Sequence, residues 1–309
     1  MYLFLGFKLI VEIFLPGQSV SSILNETVPA DSEDFDSKAE CKGNDGQELH
    51  AAAKTGCIEI IKLLLSEGFD VDSKDRNGDT PLMWTALYGQ QGAFQMLLQK
   101  GADPSLKNNK GLSLFHCAAV GGNTSIINEL LSLGLDIDSR STDGVTPLMI
   151  AAMVGKQNAF QILIQKGADP SLKDNKGFSV LHSAAIGRNP SIINELILLG
   201  LDVDSRSTDG VTPLMTAAYC EKQNAFQMLI QNGADPSLKS KIGFSLLHFA
   251  AQGGNTSIIN ELLSLGLDVH LKDVYGVTAL TRAIENSNSD AVKFLISKGA
   301  LKEISVSRQ

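Results

Sequence analysis

This 309-residue chain is poor in the residues that anchor most large cores: aromatics make up 6% of it, and it has a single tryptophan, Trp84. A hydrophobic fraction of 43% still suffices to bury a core. Burial must then come from aliphatic and small side chains, a mix suited to short helices in close contact. Cysteine is scarce as well. Cys41, Cys57, Cys117 and Cys220 stand far apart, form no Cys-x-x-Cys pair and mostly occupy helical positions where cysteine acts as a small apolar residue. That pattern fits a reducing compartment. Positive charge is in deficit: 26 Lys and Arg against 34 Asp and Glu leave a formal net charge of -8. Affinity for phosphate backbones comes from cations that displace counterions, so a nucleic acid partner is not expected.

Long apolar runs are missing too. Met1 to Leu15 is apolar apart from Lys8 and Glu12 and ends at Pro16-Gly17, short of the roughly 20 residues a membrane helix needs. It lacks the basic start and small-x-small cleavage site of a signal peptide. The readings left open are a helix packed on the first repeat, an artefact of the assigned start, or, as a lesser alternative, a segment that directs a secreted or membrane-associated, effector-like protein. Residues 18 to 42 are acidic and turn-rich, with Glu26, Asp31, Glu33, Asp34, Asp36 and Glu40, and read as a flexible leader. Asn25, Asn123 and Asn255 begin glycosylation sequons, but the latter two sit where a helix cap belongs.

What the chain has in abundance is itself. One glycine recurs at Gly46, Gly78, Gly111, Gly144, Gly177, Gly210, Gly243 and Gly276, at steps of 32 once and 33 thereafter. Behind it stands Thr80-Pro81-Leu82-Met83 in one set of units, repeated at Thr146 and Thr212, and Ser113-Leu114-Phe115-His116 in the other, echoed at Ser179 and Ser245. The two types alternate, so a 66-residue pair has been duplicated: the stretch from Asn123 to Leu135 returns at Asn255 to Leu267. His50, His116, His182 and His248 follow that period and are structural markers first.

Each unit reads as two helices. The Thr or Ser caps the first, Pro supplies the backbone angle of a first turn, and paired alanines let another helix approach closely. After a glycine break, Ser125 to Leu131 sets apolar residues along one stripe of a second helix. This helix closes at Gly101, Gly134, Gly167, Gly200, Gly233 or Gly266. A turn rich in Pro, Asn, Asp and Gly leads to the next unit, as in Asp169 to Gly177. The expected class is all-α, a solenoid of about eight stacked pairs over residues 42–303, with residues 1–41 as leader and 304–309 as a short tail.

These units resemble ankyrin repeats, whose pattern is a glycine, a Thr-Pro-Leu-His start, paired alanines, an aliphatic second helix and a Gly-Ala-Asp close. The Met-bearing units keep Thr-Pro but lose the His, so the hydroxyl-to-imidazole bond that the resemblance implies is possible only in the His-bearing type. The Met units are then expected to hold their helix starts by packing. The last unit carries Thr278-Ala279-Leu280-Thr281 and a polar Glu285-Asn286-Ser287-Asn288 turn, as expected of a terminal repeat that meets water.

Chemistry is not expected. Repetition spreads the histidines along the stack instead of gathering them as metal ligands. No nucleophile, base and orienting group converge, and no GxxxxGK[ST] phosphate loop occurs. The chain reads as a non-enzyme without cofactor, metal or small-molecule substrate, with a monomer in the cytoplasm, or the nucleus, as the expected state. The resemblance implies a groove, lined by first helices and turn tips, that holds a protein or peptide. Carried over by position, its lining includes Trp84, Leu87, Tyr88, Ile150, Met153, Tyr219 and Phe249, with Arg76, Lys110 and Lys176 at the rim. The aliphatic members serve equally well as packing between neighbouring helices. Trp84 breaks the 66-residue symmetry, since Ile150 and Thr216 take its place further on, and a large amphipathic ring there is a hot-spot candidate.

Overall fold

The computed structural model describes residues 47–301, which form eight helix pairs. The first helices are α1 (Glu48–Thr55), α3 (Pro81–Tyr88), α5 (Leu114–Gly121), α7 (Pro147–Val154), α9 (Val180–Ile186), α11 (Pro213–Tyr219), α13 (Leu246–Gly253) and α15 (Ala279–Glu285). The second helices are α2 (Ile58–Ser66), α4 (Gln91–Gln99), α6 (Thr124–Ser132), α8 (Gln157–Gln165), α10 (Ser191–Leu198), α12 (Gln223–Gln231), α14 (Thr256–Ser264) and α16 (Ser289–Ser297). Gly46, the apolar start, the acidic leader and the tail lie outside the described residues.

Helix boundaries follow local chemistry. In the Met-bearing units the hydroxyls of Thr80, Thr146 and Thr212 accept the N–H of Met83, Met149 and Met215, each at 3.3 Å, and Pro follows each cap. These starts are therefore capped by hydrogen bonds as well as packed, which corrects the expectation of packing alone. In the His-bearing units Ser113, Ser179 and Ser245 donate their N–H to the Nδ1 of His116, His182 and His248 at 3.1, 3.1 and 3.3 Å. The hydroxyl-to-imidazole contact is present there too, at 2.9, 2.9 and 2.7 Å. Second helices open on Asn123 and Asn255, which cap Ile126 and Ile258, and α6 closes at Gly134 with φ at 73°.

Packing separates the two helix sets. Interior first helices are largely enclosed, as α5 shows with Leu114 to Ala119 all buried, whereas α6 buries only Ile126, Ile127 and Leu130. First helices pack on first helices of adjacent units, so the small Ala-Ala pairs set the spacing. Between pairs the chain makes a tight hairpin. Asn108, for example, accepts the N–H of Lys110 and Leu112 on its side-chain oxygen, both at 2.9 Å. Backbone bonds then join tip to tip: Asn109 to Asn77, Thr142 to Lys110, Asn175 to Asp143, Thr208 to Lys176, Lys241 to Asp209 and Val274 to Ile242.

The alternation of unit types corresponds to two kinds of joint. Where a Met unit meets the following His unit, Gln91, Gln157 and Gln223 donate to Glu129, Glu195 and Glu261 at 2.7, 2.7 and 2.9 Å. At the same joint Gly121, Gly187 and Gly253 bring backbone against backbone; a Cβ on Gly253 would lie 2.3 Å from the Tyr219 carbonyl oxygen. Where a His unit meets the next Met unit, Ser113 pairs with Ser139 at 2.7 Å and Ser179 with Ser205 at 3.0 Å. The imidazole Nε2 of His116 and His182 crosses the same joint to the carbonyls of Val145 and Val211. The last unit has its polar turn, yet it also exposes Val274, Tyr275 and Ile284, so it is only partly a polar cap.

Candidate functional site

Along the first-helix side, one register near each helix end carries Lys54, Leu87, Val120, Met153, Ile186, Tyr219 and Gln252, 33 residues apart. Leu87, Val120, Met153 and Tyr219 are partly exposed, and Ile186 is buried. Stacking places them in file, so the middle of the array has an apolar strip and its two ends are polar. Tyr219 is half-buried, and burial raises its phenol pKa, so the ring is neutral and amphipathic at physiological pH.

Trp84 stands at the N-terminal end of this strip and is held on several sides. Its indole N–H donates to an Asp75 carboxylate oxygen at 3.2 Å, and its ring stacks on Tyr88 with centroids 5.7 Å apart. The Lys54 ammonium lies 5.0 Å from the Tyr88 ring centroid and 6.0 Å from that of Trp84. His50 meets Trp84 edge-on at 6.1 Å and reaches the Asp79 carbonyl through Nε2 at 2.9 Å. Asp75 is fixed in turn by the N–H groups of Asn77 and Asp79. Burial pushes the Asp79 carboxyl up, although a hydrogen bond from Asn108 pulls the other way.

Between Trp84 and Arg282 the register that holds them is internal. Ile150 and Phe249, assigned above to partner contact, are each 1% exposed and are removed from the site. Both side chains are sealed inside the stack, and Phe249 packs edge-on against Phe244 at 5.7 Å. Cys117 and Thr216 are buried there as well, and burial pushes the Cys117 thiol well up, leaving it a neutral packing group. At the far end of the register Arg282 repeats the Trp84 arrangement. It bonds Asp273 at 2.9 Å, as Trp84 bonds Asp75, and lies over the Phe244 ring at 4.5 Å. Burial alone would raise the Asp273 pKa, but bonds from Val277 and Arg282 outweigh it and hold the carboxyl below its usual range.

Of the rim residues, Arg76 and Lys176 are exposed at turn tips and Lys110 is partly buried. The structure thus brings Trp84, Leu87 and Tyr88 together on α3 and aligns Met153 and Tyr219 with Leu87 by register. Lys54 was missed in the sequence; its only signal was that it stands 33 residues before Leu87. The four periodic histidines do not converge. His116, His182 and His248 each have both ring nitrogens engaged in the stack.

The family model for ankyrin repeats matches this chain over residues 10–108, 92–174, 168–240 and 235–306. The chain belongs to the ankyrin repeat family, whose repeats generally mediate protein–protein interaction. It is similar to protein phosphatase 1 regulatory subunit 12A of mouse and of rat, 46% identical over 48 residues, which is 16% of this chain and 5% of the relative. An ankyrin repeat protein of fowlpox virus is 41% identical over 49 residues, 16% of this chain and 35% of the relative. The matched stretch thus spans far less than two thirds of these relatives. No helix among the described residues is long and apolar enough to cross a membrane.

Proposed function

We propose that this chain is a non-enzymatic scaffold that holds a protein or peptide partner along its first-helix side. The observation that carries this reading is the preorganised Lys54, Trp84 and Tyr88 cluster at one end of an apolar strip formed by Leu87, Val120, Met153 and Tyr219. Two rings already stacked and anchored give up little conformational freedom on binding, which is the character of an interface hot spot. The turn tips with Arg76, Lys110 and Lys176 supply the polar rim that such an apolar centre requires. A monomer fits this reading, since the strip is then open to another chain.

Affinity capture with the wild-type chain, followed by mass spectrometry and direct titration of the recovered partner, tests it. A Trp84→Ala, Tyr88→Ala variant with unchanged melting behaviour should weaken binding by about 2 kcal/mol or more, the size of a hot-spot loss. Unchanged affinity for that variant would remove the strip from the binding site.

A further inference from the structure

The residue that precedes each hairpin turn is basic in seven successive units: Lys74, Lys107, Arg140, Lys173, Arg206, Lys239 and Lys272, each 33 residues after the last. All seven are exposed. Among the described residues, none of them is ion-paired with a carboxylate. Four lie along the stack and donate to the backbone of the next member of the column. Lys107 reaches the Arg140 carbonyl at 3.2 Å, Arg140 reaches Lys173 at 2.8 Å, Lys173 reaches Arg206 at 3.0 Å, and Arg206 reaches the Lys239 carbonyl. The middle four charges of the column are therefore held in line, within a protein whose net charge is -8.

We infer that this column docks an extended acidic segment of a partner protein, with carboxylates at every third residue. Stacked helices repeat at about 8–10 Å. Three residues of polyproline II chain advance about 9 Å and return to the same face. One carboxylate in three therefore meets one cation per repeat without stretching either chain. The surroundings favour a narrow occupant. Asp72, Asp138 and Asp204 stand two residues before column members and are pinned to the N–H groups of Asp103, Asp169 and Asp235, so carboxylates run beside the cations. Asp143 and Asp209 add negative charge at the tips. A duplex or an anionic membrane would lie across those carboxylates, whereas one extended chain covers a narrower strip of the surface.

This inference rests on the proposed function only in taking the partner to be a protein segment, and its test is separate. The probe is a labelled synthetic peptide of about 21 residues, with Glu at every third position among Pro and Ala. Its control has the same composition with the Glu residues in one block. Fluorescence anisotropy should show the spaced peptide binding the full chain roughly tenfold more tightly than the block peptide, and losing affinity between about 50 and 200 mM salt. Lys107→Gln with Arg140→Gln, Lys173→Gln and Arg206→Gln should abolish the preference, while Arg140→Lys with Arg206→Lys retains it. Lys74→Gln with Lys239→Gln and Lys272→Gln touches none of the four inter-repeat bonds and should weaken binding even if the first variant misfolds. Equal binding of the two peptides, undiminished binding by both neutralised variants, or equally tight binding of a single-stranded oligonucleotide would each overturn the inference. Trp84→Ala with Tyr88→Ala should leave peptide affinity unchanged. Loss of peptide there, with the column variants unaffected, would move the site to the apolar strip and overturn the column.

Discussion

The Nε2 of His116 donates a hydrogen bond of 2.9 Å to the carbonyl oxygen of Val145, one repeat further along the stack. A carbonyl can only accept, so Nε2 carries the proton. Nδ1 must then be the acceptor for the Ser113 N–H at 3.1 Å. The ring is locked neutral, and a second proton would be forced against that N–H.

Acid should therefore loosen the array through these histidines. Burial is the main cause that lowers the His116 and His182 pKa values from 6.5 to about 4, and it lowers that of His248 as well. Between those limits the unfolded chain binds more protons than the native one. The stabilisation is complete above pH 6.5 and is lost as pH falls towards about 4. Each of the two deeply buried rings accounts for on the order of 3 kcal/mol over that range. Urea unfolding should show a midpoint that drops between about pH 7 and pH 5, with a smaller drop in His116→Gln. Identical slopes for the two proteins would refute the assignment.

Gly253 and Gly134 should respond differently to alanine. A Cβ on Gly253 would lie 2.3 Å from the Tyr219 carbonyl oxygen, a backbone atom that cannot swing aside, so Gly253→Ala should cost roughly 2–4 kcal/mol by separating α13 from α11. Gly134 has φ at 73° and nothing within 4 Å of that position, so Gly134→Ala should cost only about 1 kcal/mol of backbone strain. Denaturant melts of the two variants decide this, and a larger loss at Gly134 would contradict it.

The bond from Gln91 to Glu129 at 2.7 Å is one of three copies of the Met-to-His joint. A double-mutant cycle with Gln91→Ala and Glu129→Ala should give a coupling of about 0.5–1.5 kcal/mol. Gln91 with Ser139→Ala, which alters the opposite joint, should couple negligibly.

Trp84 is the chain's single tryptophan, so intrinsic fluorescence reports directly on the cluster. Trp84→Phe removes the 3.2 Å bond to Asp75 but keeps the ring stack, and should cost roughly 1 kcal/mol of stability. Lys54→Ala should change the emission without unfolding the chain, because it removes the cation above the Trp84 and Tyr88 rings. A partner that occupies the strip should shift the same emission band; binding without any shift would place that partner elsewhere.

The repeat, its 66-residue pairing, the helix starts at Thr80 or Ser113 and the left-handed closure at Gly134 were legible in the sequence. Capping and turn chemistry act between residues three to five apart, so the local order of residues determines them. What lies 29 to 38 residues away was decided by the stack alone. Trp84 and Ile150 occupy the same register, yet Trp84 remains partly open beneath Lys54 while Ile150 is sealed at 1% exposure. The roles of His116, Glu129 and Gly253 as joints depend likewise on which atoms the adjacent unit presents. A repeated sequence specifies each unit; whether a side chain becomes seam or surface depends on the neighbour that packs against it, and here the two joints of an interior unit differ.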